Sequence, residues 1–215
     1  MSASIEVFQD LMIASSTSQM AALEKLLITR AKAPWRHRAE EISEPQEHGT
    51  VLFMEREEDT TLPAARLVLW PSEVGYSVMN VVPLKVGQLD RATYNALLQE
   101  FTEQVAVPAA TGLKLSAKLS RQWQSIDEWF SPSTAQALRR FSNSANKSTG
   151  ASHPRDQERW MEFLISAHHD GSDIDSDLLY RWLHEVAGWQ EESAGDLLMN
   201  YDFARTLLGH YDQHR

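Results

Sequence analysis

The sequence predicts an α+β protein: N-terminal helices, a small antiparallel meander with a packed helix and a further strand, then a C-terminal three-helix module. Three observations predict it. Apolar residues between 50 and 84 come in short β-branched and aromatic runs. Those of 89–106 and of 155–215 recur at helical spacing. Finally, the elements follow the order αα-βββ-α-β rather than alternating βαβ units.

Ile5, Phe8 and Met12 fit a helical stripe over 5–13. Met20, Leu23 and Leu27 repeat it over 18–31, after the Ser15-Ser16-Thr17-Ser18 cluster that suits an N-cap. Pro34 ends the second helix. The runs Val51–Met54, Arg66–Trp70 and Tyr76–Val82 read as strands, with Pro71–Gly75 as the turn between the last two. Turns this short join antiparallel neighbours. Tyr94, Leu97, Leu98, Phe101 and Val105 make an amphipathic helix over 89–106, closed by Pro108 and Gly112. Leu113–Leu119 alternates with period two, which predicts a half-exposed strand.

Ser131-Pro132 is a helix start, with Ser as N-cap and Pro in the first turn. Leu138 and Phe141 are the apolar face of that helix. The stretch 142–154 holds nothing large and apolar. The expected division is therefore an α+β domain over 1–145, a polar linker or loop over 146–154, and a helical module over 155–215. Within the module the stripes are Trp160, Phe163, Leu164 and Ala167, then Leu178, Leu179, Trp182, Leu183 and Val186. The third runs Ala194, Leu197, Leu198, Tyr201, Ala204, Leu207, Leu208 and Tyr211.

Composition excludes several classes. There is no cysteine, so disulfides, thiolate catalysis and zinc–thiolate sites are impossible. Glu6 and Asp10 precede the first cation, Lys25, which does not fit a secretory signal. The longest apolar run is well short of the roughly 20 residues of a spanning helix. The expected protein is soluble, cytoplasmic and not membrane-bound. The net charge is −10. Residues 152–215 hold five Arg and no Lys against thirteen Asp and Glu, a net −8. A field of that sign repels phosphate backbones and attracts basic partners.

Four constellations qualify as candidate sites. The acidic module supplies a partner-binding set: Tyr180 and Trp189 as aromatic anchors beside Asp170, Asp173, Asp175, Glu191 and Glu192. Trp189 stands between Gly188 and Gln190, where no helical stripe requires it, and reads as exposed. The polar loop 142–159 supplies a ligand-binding set: Asn146, Lys147, His153, Asp156 and Arg159. Ser144-Ala145-Asn146-Lys147 fits S-x-x-K, but here the pattern ends a helix, whereas in enzymes the serine begins one. Arg30, Lys32, Trp35, Arg36 and Arg38 interleave cations with an aromatic, as a nucleic-acid contact does. Glutamates follow at once, and the overall charge opposes that partner.

The fourth, a metal site, fails as a calcium loop, while imidazole with carboxylates still suits zinc or manganese. The Asp173, Asp175, Asp177 run has Leu178 where a calcium loop needs Gly and His184 where it needs Glu. His168 and His169 diverge on a helix. No metal, cofactor or catalytic residue is expected. The leading expectation is a non-enzymatic protein-binding or adaptor protein with a basic partner.

Overall fold

The computed structural model describes residues 4–39, 47–172 and 174–214, in two compact units. Glu40, Glu41 and Glu44, and the candidate residue Asp173, lie outside the described residues. No helix among those described is long and apolar enough to cross a membrane.

The expected helix over 5–13 is extended chain. Ile5–Glu6 forms β1 and Leu11–Ala14 forms β2. Ile5, Val7, Gln9, Leu11 and Ile13 are buried, while Phe8, Asp10 and Met12 are exposed. The segment carries two periods at once, and burial follows the period of two. Gln9 tolerates burial because its backbone N–H donates to Asn95 Oδ1 at 2.9 Å and its Nε2 to the Ser120 carbonyl at 2.6 Å.

The unit Val7–Gln122 continues with α1 (Met20–Arg30), β3 (Trp35–Arg38), β4 (Leu52–Arg56), β5 (Ala65–Ser72), β6 (Gly75–Val78) and β7 (Val81–Pro83). Next comes α2 (Arg91–Phe101), a π-helical turn over Thr102–Ala106, α3 (Val107–Gly112) and β8 (Ala117–Leu119). Its described strands form one seven-stranded antiparallel sheet in the order β3-β4-β5-β6-β2-β8, with β7 also on β5. The meander is present, enlarged by β2 and β3, which hydropathy alone did not separate.

The helix stripe Tyr94, Leu97, Leu98, Phe101 and Val105 is buried throughout, as its spacing predicts. Asp90 caps it, accepting from the Thr93 N–H at 2.7 Å. Pro108 does not end the helix. The wider turn before it lets the Val107 N–H reach the Thr102 carbonyl, and proline sits in the first turn of α3, where its missing N–H costs little. The chain reverses instead at Lys114, which takes the left-handed conformation. The strand expected over Leu113–Leu119 is thereby shortened to its last three residues.

One sheet face packs with the helices around Leu11, Ile13, Leu23, Leu27, Trp35, Leu67, Leu97 and Phe101. Arg56 is fully buried at the rim of this core. Nε and Nη2 donate to the two Glu100 oxygens at 2.7 and 3.1 Å, and Nη2 also to Asp59 at 2.6 Å. Nη1 donates to the carbonyls of Glu57 and Leu62 at 2.8 Å each. Such complete pairing is what a buried charge requires.

The second unit joins residues 4–6 to 123–214. Its β1 pairs with β9 (Trp123–Gln124). The helices are α4 (Ile126–Trp129), α5 (Pro132–Ser144), α6 (Pro154–His169), α7 (Ser176–Arg181) with a π-helical turn over Trp182–Val186, and α8 (Glu191–Gln213). Arg181 is buried and ties the strand to the helices, donating to the Glu6 carbonyl at 2.7 Å and to both Glu185 oxygens. One core holds Ile126, Phe130, Leu138, Phe141, Trp160, Phe163, Leu179, Leu183, Trp189, Leu197 and Tyr201. The polar stretch 146–154, read from the sequence as the boundary, lies inside this unit. α5 and α6, on either side of it, share that core, and the two units part between Gln122 and Trp123.

Candidate functional site

The most exposed apolar surface of the helical unit lies on α8. That helix has two apolar faces. Ala194, Leu197 and Tyr201 point into the core, with the Tyr201 ring stacked on Phe163 at 6.2 Å. Met199, Phe203, Leu207 and Tyr211 are exposed by 65, 66, 54 and 60 %. They are spaced four apart, so each stands about 40° on from the last and the four form one gently winding stripe. Leu207 and Tyr211 are corrections: the periodicity placed them in the core. Glu191, Glu192, Asp196, Asp202 and Asp212 lie on the same helix.

The expected aromatic anchors are placed differently. Trp189 is 1 % exposed. Gly188, in the left-handed conformation, turns the chain, and the indole then lies flat on Phe141 with its Nε1 donating to Ser142 Oγ. Trp189 is a core residue and cannot anchor a partner. Tyr180 is half-buried and stacks on His184 at 6.0 Å.

The acidic residues divide by role. Asp170 accepts from the Ser131 N–H at 3.0 Å, at the start of α5. Burial pushes its pKa up, but hydrogen bonds from Thr134 and Ser131 outweigh that and hold the carboxyl below the usual range. Asp175 caps α7, accepting from the Asp177 N–H at 2.8 Å. Glu191 and Glu192 are exposed in the first turn of α8 and serve its dipole. His168 Nε2 and Asp212 Oδ2 lie 2.8 Å apart, joining the C-terminal ends of α6 and α8.

In the polar loop, Asn146, His153, Asp156 and Arg159 line one open cleft of about 660 Å³. Lys147 is not part of it, since its Nζ donates to the Ala187 carbonyl. Much of the polar capacity is spent on the loop's own fold. Asn146 Oδ1 accepts from the N–H and hydroxyl of Ser148, at 3.1 and 2.7 Å. His153 caps α6 by accepting from the Arg155 N–H. Asp156 is buried, and its carboxylate pairs with Arg159 at 2.8 Å and accepts from the Asn146 N–H at 3.4 Å.

The segment 30–38 is split by the sheet. Trp35 is fully buried, edge-on to Phe101, with its Nε1 donating to Glu100 at 2.9 Å. It cannot stack a base. Arg30 and Lys32 are exposed. Arg36 and Arg38 stand on the opposite face of β3 and converge on Glu55, at 3.3 and 3.4 Å. Among the described residues no three His, Asp or Glu side chains come together as a metal would require.

Sequence reasoning missed the stripe on α8. The signal was present: Met199 and Phe203 fall outside the core stripe of that helix yet stand at i, i+4 to each other and to Leu207.

Residues 131–202 match the model of a family described as a domain of unknown function (DUF1889), a stretch running from the cap of α5 to the middle of α8. No curated protein and no solved structure matches the chain.

Proposed function

We propose that this chain is a non-enzymatic protein-binding or adaptor protein that docks a basic partner on its acidic helical unit, along the outer face of α8. The observation that carries this reading is the stripe Met199, Phe203, Leu207 and Tyr211, more than half exposed on a 23-residue helix. Soluble chains seldom leave a contiguous apolar strip uncovered unless something covers it. The flanking charge selects the occupant. Residues 152–215 carry a net −8, so a second copy would bring like charges together. A partner segment with apolar anchors set among Lys and Arg meets both features. An antitoxin, immunity or chaperone-like role and a cytoplasmic location agree with this.

Affinity capture from a native lysate, comparing the wild type with a Phe203→Asp, Leu207→Asp variant, tests it. The expected result is a basic protein held by the wild type and lost by the variant, with affinity falling as salt rises. Identical captured sets, or an acidic partner, would count against the reading.

A second reading, small-molecule binding in the polar loop, is favoured by one observation: Asn146, His153, Asp156 and Arg159 share a cleft. Thermal-shift screening of the wild type beside Arg159→Ala tests it. A compound that stabilises the first and not the second supports this reading, and a screen without such a compound removes it.

A further inference from the structure

The sheet of the unit Val7–Gln122 has a second face, and its register sets chemistry in rows. Arg36, Glu55, Arg66 and Val82 are successive cross-strand partners on β3, β4, β5 and β7. Arg38, Phe53 and Val68 form the next row on β3, β4 and β5. Trp70, Ser77, Met12 and Lys118 form a third across β5, β6, β2 and β8. All of these except Glu55 are exposed or half-exposed, while their chain neighbours on the other face build the core.

Two features define what this face fits. The first is charge. Four cations stand on it, and Asp10, two residues before Met12, shares the face. Glu55, the carboxylate that three of the cations share, is sealed, 2 % exposed beneath Arg36, Arg38 and Arg66. Its role is to hold the three guanidiniums in place. Arg66 reaches it at 2.6 and 3.2 Å through two nitrogens. A further carboxylate, Glu57, pairs with Arg36 at 3.1 Å. The second feature is aromatic surface. Trp70 is 49 % exposed. Phe53 lies diagonally across from it, roughly 7–8 Å away by strand geometry. Arg66 sits over the Phe53 ring at 5.8 Å.

We propose that this sheet face binds single-stranded nucleic acid, with Trp70 and Phe53 stacking bases and Arg36, Arg38, Arg66 and Lys118 contacting phosphates. Stacking rings set among cations are the general chemistry of single-strand recognition, and a pleated sheet keeps them in one plane. A duplex hides its base faces and gains only from the charges. This site is separate from the α8 stripe and stands or falls independently of it.

Fluorescence anisotropy of the full chain with a labelled twelve-nucleotide oligo(U), oligo(dT) and a duplex of equal length tests the proposal. The single strands are expected to bind more tightly than the duplex. Their affinity is expected to fall roughly 50-fold between 50 and 200 mM salt, as about four phosphate contacts imply. Trp70→Ala is expected to weaken binding by about fivefold or more, with Trp70→Phe keeping most of it. Lys118→Ala is expected to lower the salt slope by roughly one contact. Circular dichroism melts establish that each variant is folded. No binding at 50 mM salt, equal binding by folded Trp70→Ala, or equally tight binding of poly-glutamate would overturn the proposal, the last by making an acidic protein the occupant.

Discussion

Trp189 lies flat on Phe141, with ring centroids 5.2 Å apart and planes within 11°, and its indole N–H reaches Ser142 Oγ at 2.9 Å. The two rings join the loop before α8 to α5, far apart in sequence. The contact makes Trp189 a packing residue that closes the core of the helical unit.

Trp189→Ala is therefore expected to cost about 3–5 kcal/mol, through the cavity left under α5. Trp189→Phe keeps the stack, loses the hydrogen bond and leaves the Ser142 hydroxyl buried without that donor, at about 1–3 kcal/mol. Urea unfolding followed by far-UV circular dichroism measures both. An Ala variant as stable as the wild type would show that the ring does not pack as described.

Arg56 is the corresponding hub of the sheet unit. Arg56→Met removes the donors that Glu100, Asp59 and two backbone carbonyls use, and leaves the Glu100 carboxylate with Trp35 Nε1. The expected loss is about 1–3 kcal/mol, because the half-buried Glu100 carboxylate and two backbone carbonyls lose those donors. Arg56→Lys is expected to recover little of it, since an ammonium cannot reproduce the fork. Denaturant midpoints at constant m-value give the comparison.

Acid sensitivity follows from Glu55. Burial raises its pKa, but hydrogen bonds from Arg66 and Arg36 and the charge of Arg38 outweigh this and hold it below the ordinary value. A depressed carboxylate contributes stability in full above the unfolded value, about 4.3, and loses it as the pH falls through the folded one. Melting temperatures between pH 7 and 3 are expected to fall more for the wild type than for Glu55→Gln, which starts lower at pH 7. Parallel curves would contradict this account.

The two faces of α8 predict opposite responses. Phe203→Ser removes a mostly exposed ring and is expected to change stability by less than about 1 kcal/mol. Tyr201→Ala opens the core beside Phe163 and is expected to cost about 3–5 kcal/mol. Thermal unfolding of the pair separates them, and a large loss from Phe203→Ser would place that ring in the core.

Gly75 is required by its position. Its φ is +131°, and a Cβ there would sit 1.9 Å from the Ile13 carbonyl oxygen across the β2–β6 pair. Gly75→Ala is expected to cost on the order of 3 kcal/mol or more, read from the same unfolding curves.

Long amphipathic stripes were legible because periodicity and burial agree there. Tyr94 to Val105 and Trp160 to Ala167 pack as their spacing predicts. The first strands were not legible, because Ile5, Phe8 and Met12 satisfy a helical period while Val7, Leu11 and Ile13 satisfy a strand period. Only pairing with β6 and β8 selects between them. The surface of the helical unit was half legible. Its acidity is a matter of composition, but which aromatic rings face water depends on packing.

The sequence by itself determined the α+β class, the absence of thiol chemistry, the acidic C-terminal third and the helices with one unambiguous face. Those are local or additive properties, readable without partners. Tertiary structure alone decided that Trp189 and Trp35 are buried, that Arg36, Arg38 and Arg66 converge on Glu55, and that Met199, Phe203, Leu207 and Tyr211 face outward. An aromatic ring is equally at home in a core or on a docking surface. The free energy that chooses between them comes from residues distant in sequence, such as Phe141 and Ser142 for Trp189, that the fold brings alongside.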